Sequence, residues 1–293
     1  MKRAKDTSFS LTHSLNLGGR LLRLDRPAVM GILNMSQDSF FDGGYYPDLV
    51  SQVRQCGRML EEGAAIIDVG AMSTRPGAEE IPEETEIEHL TPLLEELTAA
   101  FPEIKISVDT YRQKVAEVAV KKGAVMINDI SGGSFDSRMP DFVAESGVAY
   151  VLMHTPDKPH RMQKNPQYDN VSNSVIQFFG KQLELFLSKG ARDILLDPGF
   201  GFGKTLTHNY ILLQDLPAIC SLGFPVLAGI SRKSMIYKTL NTSPSDSLPG
   251  TLAAQTIALM QGAAVLRVHD VAEALQSIRI FEAFNQMLPG SGE

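Results

Sequence analysis

The chain is poor in cysteine, has no surplus of basic residues and carries no long apolar run. Its two cysteines, Cys56 and Cys220, are too few for a disulfide framework and lack metal-ligand spacing. Both fall in helix-like segments and read as reduced thiols packed within the fold. With 27 basic against 34 acidic side chains the net charge is -7. That excludes a face-wide phosphate-binding surface, and with it a nucleic-acid binder, while leaving room for a local basic pocket. No apolar stretch approaches transmembrane length, so no membrane partner is expected. The opening MKRAKDTSFS is basic but lacks the apolar core of a signal peptide, and a cytoplasmic location is the expectation. A standard nucleotide loop is missing too. LLDPGFGFGKT (195–205) looks like one, but Pro198 stands where a P-loop needs its first glycine. Nor does Gly199-Phe200-Gly201 continue into a dinucleotide fingerprint.

What is present has a rhythm. The tract FSLTHSLNLGGRLLRLD (9–25) alternates apolar and polar residues around Gly18-Gly19, as a β-hairpin does. After it, short β-branched runs alternate with longer amphipathic ones. Strands are expected at 28–34, 65–70, 104–109, 125–129, 149–154, 194–197, 225–231 and 264–269. Helices are expected at 49–62, 82–99, 112–121, 139–146, 171–189, 209–221, 248–261 and 272–286. Strands apolar nearly throughout suit a parallel sheet covered by helices. Eight such units in 293 residues predict an α/β fold, a (β/α)8 TIM barrel with an N-terminal β-hairpin extension. A doubly wound open sheet is the alternative. The expected boundaries are 1–27 for the hairpin, 28–289 for the barrel and 290–293 for a C-terminal tail.

Barrel sites lie at the C-terminal strand ends. All eight expected strands end polar, at Asn34, Asp68, Asp109, Asn128-Asp129, His154, Asp197, Ser231-Arg232-Lys233 and Arg267-Val268-His269. One or two polar residues there would be helix caps; a complete ring exceeds what capping needs. Asp109 precedes Thr110, which can cap on its own, and Asp197 precedes a proline and a glycine loop rather than a helix. Asn128 and Asp129 must point to opposite faces of their strand, so one enters the barrel mouth and the other turns to the helix layer. Asp68 reads equally well as a hydrogen-bonding partner for neighbouring loops, and His154 as a satisfied structural histidine. The cations Arg75, Lys204, Arg232, Lys233, Arg267 and His269 converge on one face of an acidic protein, which suits an anionic ligand. Asp109, Asp197 and Asn128 suit a neutral edge rich in N–H donors. A ligand with a donor-rich heterocycle at one end and an anion at the other follows. Two long loops, NMSQDSFFDGGYYPD (34–48) and AMSTRPGAEEIP (71–82), are candidates to close over it.

These residues resemble the dihydropteroate synthase family. The shared stretches are MGILN with DSFFDGG, DVGAMSTRPGA, SVDT, INDI, LMH, LLDPGFGFGKT with His208-Asn209, GISRKSMI, GTLAAQTIALMQGA and LRVHDV. They run from Met30 to Val271 in the family's order. The resemblance implies a transferase of folate biosynthesis that joins 6-hydroxymethyl-7,8-dihydropterin diphosphate to p-aminobenzoate with Mg2+. It places Asp109, Asn128, Met153, Asp197, Phe202, Lys233 and Arg267 around the pterin. It places Asn34, Thr74, Arg75, Arg267 and His269 at the diphosphate, with Asn34 at the metal. Phe40, Pro76, Gly201, Phe202, Arg232 and Ser234 fall around p-aminobenzoate. Asp109, Asp197, Lys233, Arg267 and His269 are the expected catalytic set. Sulfonamides are expected competitors, and a homodimer is implied. The chain departs from the family at Gln37, Phe41 and Met72, which bears on the first two loops. Two alternatives share the pterin pocket: a non-catalytic pterin-binding homologue and a pterin-dependent methyltransferase working with a corrinoid protein.

Overall fold

The computed structural model describes residues 13–35, 47–70, 81–163 and 166–286. A two-stranded hairpin, β1 (Ser14–Leu17) and β2 (Arg20–Arg23), comes first. Gly18 and Gly19 make its two-residue turn with φ of 60° and 84°, a pair of left-handed conformations that a tight hairpin turn requires. Eight strands follow: β3 (Ala28–Asn34), β4 (Ile66–Gly70), β5 (Ile106–Asp109), β6 (Ala124–Asp129), β7 (Ala149–Met153), β8 (Ile194–Asp197), β9 (Leu227–Ala228) and β10 (Val265–Val268). All their pairings are parallel, in the order β8-β7-β6-β5-β4-β3-β10-β9. The Leu196–Val226 bridge joins β8 to the start of the β9 segment. The sheet is therefore a nearly closed parallel barrel.

The connecting helices are α1 (Pro47–Glu62), α2 (Glu83–Ala100), α3 (Gln113–Lys121), α4 (Met139–Ser146), α5 (Val171–Lys189), α6 (Leu206–Gln214), α7 (Leu216–Cys220), α8 (Ser234–Tyr237), α9 (Leu248–Met260) and α10 (Val271–Gln286). Two expectations are corrected. The single helix expected at 209–221 is two, because Asp215 ends α6 and Pro217 lacks the N–H that a continuous helix would use there. The strand expected at 225–231 keeps only Leu227–Ala228 in the ladder, because the chain turns away at Gly229 and closes a turn from Ile230 to Lys233 before α8.

Side-chain parity decides what lies inside. Met30, Ile66, Met126, Val151, Leu195, Leu227 and Val265 form one buried cluster together with Leu15 and Leu17 of the hairpin. Their strand neighbours Val29, Ile67, Ile127, Leu152, Leu196, Ala228 and Leu266 pack instead with the helices. The first set fills the barrel and the second faces outward, as the two-residue period of a strand demands. The hairpin closes the N-terminal end. The Asn16 N–H donates to Asp193 Oδ1 at 2.7 Å, and the Arg20 guanidinium donates to Glu103 and to the Ile104 carbonyl, each partner lying just before a strand.

Candidate active site

The same parity puts chemistry at the other end. Asp68, Asn128, Asp197 and Arg267 each stand two residues beyond an interior apolar residue, respectively Ile66, Met126, Leu195 and Val265, and so face inward. Asp109 follows Val108, which faces outward, and also points in. All four carboxylate and amide side chains are at most 5% exposed. Asp68, Asn128, Asp109 and Arg267 form a connected set. Asn128 Nδ2 donates to Asp68 Oδ2 at 2.9 Å. The Arg267 guanidinium donates to the same oxygen at 2.7 Å and to Asp109 Oδ2 at 3.1 Å. Asp68 Oδ1 and Asp109 Oδ1 are buried with no hydrogen-bond partner among the described residues, a costly arrangement for carboxylates unless something donates to them. Burial raises the pKa of Asp109, against the pull of Arg267. Burial opposes the charge on Arg267, but Asp68 and Asp109 outweigh it and raise its pKa.

Asp197 and Lys233 both approach Gly229. An added Cβ on that glycine would lie 3.7 Å from both Asp197 Oδ2 and Lys233 Nζ, so the absent side chain leaves room for the pair. Asp197 Oδ1 also accepts from the Gly199 N–H at 2.8 Å. Burial raises the Asp197 pKa, with Lys233 opposing it, and lowers that of Lys233 to about 8. Lys233 donates to the Phe200 carbonyl and sits 4.7 Å above the Phe202 ring. Phe202 packs with Met153, Tyr111 and Ile130 in a small apolar cluster. Flat apolar walls thus stand next to a row of acceptors.

The other expected positions are distributed. Asp129 turns to the helix layer, where it accepts from the Ser131 N–H and hydroxyl, the Gly133 N–H and the Tyr150 hydroxyl. His269 is exposed on the rim with Nδ1 3.0 Å from Ser231 Oγ, and Asn34 is exposed at the end of β3. Gly201 lies in the β8 loop with φ 80°, and Ser234 opens α8 half-buried. Arg232, expected beside an aromatic acid, follows Ser231 at the end of the β9 segment. Its guanidinium pairs with Asp270 at 2.8 Å through two N–H groups and donates to the carbonyls of Pro244 and Ser245. With φ 52° its backbone is left-handed, held also by Thr251. Phe40, Thr74, Arg75 and Pro76, with Gln37, Phe41 and Met72, lie outside the described residues. Asp68, placed in the polar ring but read equally as a partner for neighbouring loops, is joined to Asn128 and Arg267; its parity with Ile66 was the signal. His154 takes the structural role. It is buried, with Nδ1 3.1 Å from Lys204 Nζ, and burial followed by that lysine's charge lowers its pKa to about 3.

The chain is similar to known proteins along most of its length. Residues 30–269 match the family model described as pterin binding enzyme. The dihydropteroate synthase of Escherichia coli (strain K12) is 45% identical over 267 residues, covering 90% of this chain and 94% of that one. A Yersinia pestis dihydropteroate synthase, solved as a complex with a sulfonamide drug, superposes with a TM-score of 0.87 at 40% identity. That match spans 94% of this chain and 100% of the other. A Xanthomonas albilineans dihydropteroate synthase, solved with 4-aminobenzoic acid, gives 0.86 at 40% identity over 95% and 100% of the two chains.

Proposed function

The chain belongs to the dihydropteroate synthase family of pterin-binding enzymes, and from that membership we propose how its residues join 6-hydroxymethyl-7,8-dihydropterin diphosphate to p-aminobenzoate, releasing diphosphate. The observation that carries the reading is the buried row of acceptors, Asp109 Oδ1 above all, beside the Met153–Phe202 wall. A pterin presents N–H donors along one edge and a flat face. Asp109, Asn128 and Asp197 take the edge, and Met153 and Phe202 take the face. Lys233, already over Phe202, adds a donor to the ring. Arg267 leaves one carboxylate and stacks on the ring, keeping its charge near the departing anion.

Substitution at the pterin methylene carbon breaks the carbon–oxygen bond to diphosphate and forms the bond to the arylamine nitrogen. Positive charge that develops on the ring is stabilised by Asp109 and Asp197, carboxylates fixed in place before the reaction. Arg267 and His269 stabilise the diphosphate, with Thr74 and Arg75 assigned to the same side. Gly201 and Ser234 are assigned to the p-aminobenzoate site, and the family resemblance assigns Phe40 and Pro76 to it as well. Phe202 and Arg232 belong to the same site, with the Arg232 guanidinium held by Asp270. The arylamine is already nucleophilic and needs no strong general base.

Among the described residues no three His, Cys, Asp or Glu side chains gather as metal ligands. Asn34 offers one exposed amide oxygen at the rim, which suits Mg2+ carried in largely by diphosphate oxygens. Bound there, the ion would neutralise the leaving group. Sulfonamides would compete for the p-aminobenzoate site. A homodimer is supported by the exposed apolar side chains Ile257, Met260, Ile280 and Phe284 on the adjoining helices α9 and α10. A cytoplasmic location completes the proposal; among the described residues no helix is long and apolar enough to cross a membrane. The deciding experiment is diphosphate release by purified protein given both substrates and Mg2+. Pterin binding without release would make the chain a non-catalytic homologue.

A further inference from the structure

The site uses one lysine of the glycine loop's neighbourhood, Lys233, and leaves the other, Lys204, unexplained. Lys204 is only 4% exposed. Its ammonium has three N–H donors and four acceptors around it: the carbonyls of Gly199 at 2.9 Å, Phe202 at 2.9 Å and His154 at 3.3 Å, and His154 Nδ1 at 3.1 Å. No donor is left over for a phosphate. An ammonium only donates, so the imidazole accepts at Nδ1 and carries its proton on Nε2.

The acceptors lie on two adjacent strand ends, and the loop between them is short of alternatives. Its consecutive carbonyls are each taken: Gly199 and Phe202 by Lys204, Phe200 by Lys233, Gly201 by the Gln163 amide, and Gly203 by the Tyr168 hydroxyl. Lys204 and Lys233 therefore grip the same loop from inside and from the ligand side. Gly199, with φ 73°, is where the inner grip is closest, since a Cβ there would stand 2.0 Å from the His154 carbonyl oxygen. The Gly199 N–H is also the donor to Asp197 Oδ1.

We propose that Lys204 is a positioning residue, which touches no ligand but gathers the carbonyls of Gly199, Phe202 and His154 and so fixes Asp197 and Phe202 for the pterin. The inference rests on the pterin reading of the site. Burial, offset in part by the charge of Asp197, lowers the Lys204 pKa to about 7, as expected for an ammonium whose direct contacts are carbonyls and an imidazole rather than a carboxylate.

The test uses Lys204→Met in the full chain, with Lys204→Gln as the milder variant should the first not fold. Two readouts are taken. Without any ligand, amide hydrogen exchange at Gly199, Gly201 and Phe202 should quicken roughly tenfold or more, while the barrel strands keep their protection. By calorimetry, affinity for a 7,8-dihydropterin should fall roughly tenfold to a hundredfold, the scale on which small misplacements act. Affinity for inorganic diphosphate should stay within about twofold, because Arg267 and His269 are untouched. Unchanged loop exchange in a folded variant overturns the inference, as does a loss confined to diphosphate. If the wild type itself binds no pterin, the functional reading has failed, and the exchange arm still decides whether Lys204 holds the loop.

Discussion

The two ends of the barrel are built from the same strands and have opposite contents. At the N-terminal end the interior residues are Met30, Ile66, Met126, Leu195, Leu227 and Val265, sealed by Leu15 and Leu17 of the hairpin. Two residues further along, the interior residues are Asp68, Asn128, Asp197 and Arg267, with Asp109 beside them. The lower end gains stability from apolar burial. The upper end holds charges away from water and, among the described residues, carboxylate oxygens without donors, which costs stability. One end maintains the fold, and the other draws on it to keep a polar site fixed.

Breaking each end should therefore produce opposite signatures. Leu17→Ala opens a cavity under the barrel and should cost about 2–5 kcal/mol in chemical denaturation, while pterin affinity of the folded protein stays level. Asp197→Ala removes an acceptor fixed at the mouth and should lower turnover about 10²–10³-fold, with a melting temperature equal to or above wild type. A melting temperature that falls as far as that of Leu17→Ala would erase the contrast. Tyr150→Phe tests the outward side of the wall. It takes a donor from buried Asp129 and should cost about 1.5–3 kcal/mol of stability without changing substrate affinity. The smallest effect belongs to His154. Its folded pKa of about 3 lies below the ordinary 6.5, so the unfolded chain binds the proton more readily between those values. Stability is full above about 6.5 and declines as pH falls through that window. His154→Gln should flatten the decline by at most about 1.4 kcal/mol per pH unit, measured as denaturation midpoints across about pH 6 to 4.

The architecture was legible because it depends on two periods that the sequence states openly, alternating strands and amphipathic helices. The interior ring was legible for the same reason: parity assigns Asn128 inward and Asp129 outward, and the hydrogen bonds agree. Three things were hidden. Asp68 was placed in the ring but left open as a loop partner, because parity gives its direction and not its partners, Asn128 and Arg267, which lie 60 and 199 residues away. Arg232 was read as a ligand contact, and its guanidinium partners Asp270, Pro244 and Ser245, which lie 38, 12 and 13 residues away, are marked by no local pattern. Lys204 resembled a phosphate lysine because its glycines do; only the positions of the carbonyls reveal what they surround. The division of 209–221 at Pro217 was a local signal that the apolar pattern overrode.

The hairpin has one more consequence, and it concerns time. It precedes every barrel strand in the chain, yet the surfaces it seats on come from far later: Val125 against Gly18, Asp193 with Asn16, and Leu227 and Val265 in its apolar cluster. During synthesis it cannot complete its polar contacts until the segment before β8 has emerged. Its docking thus marks the moment when the starts of β5, β6 and β8 are all in place. An intermediate that stops short of β8 should carry the hairpin without its Asn16–Asp193 contact.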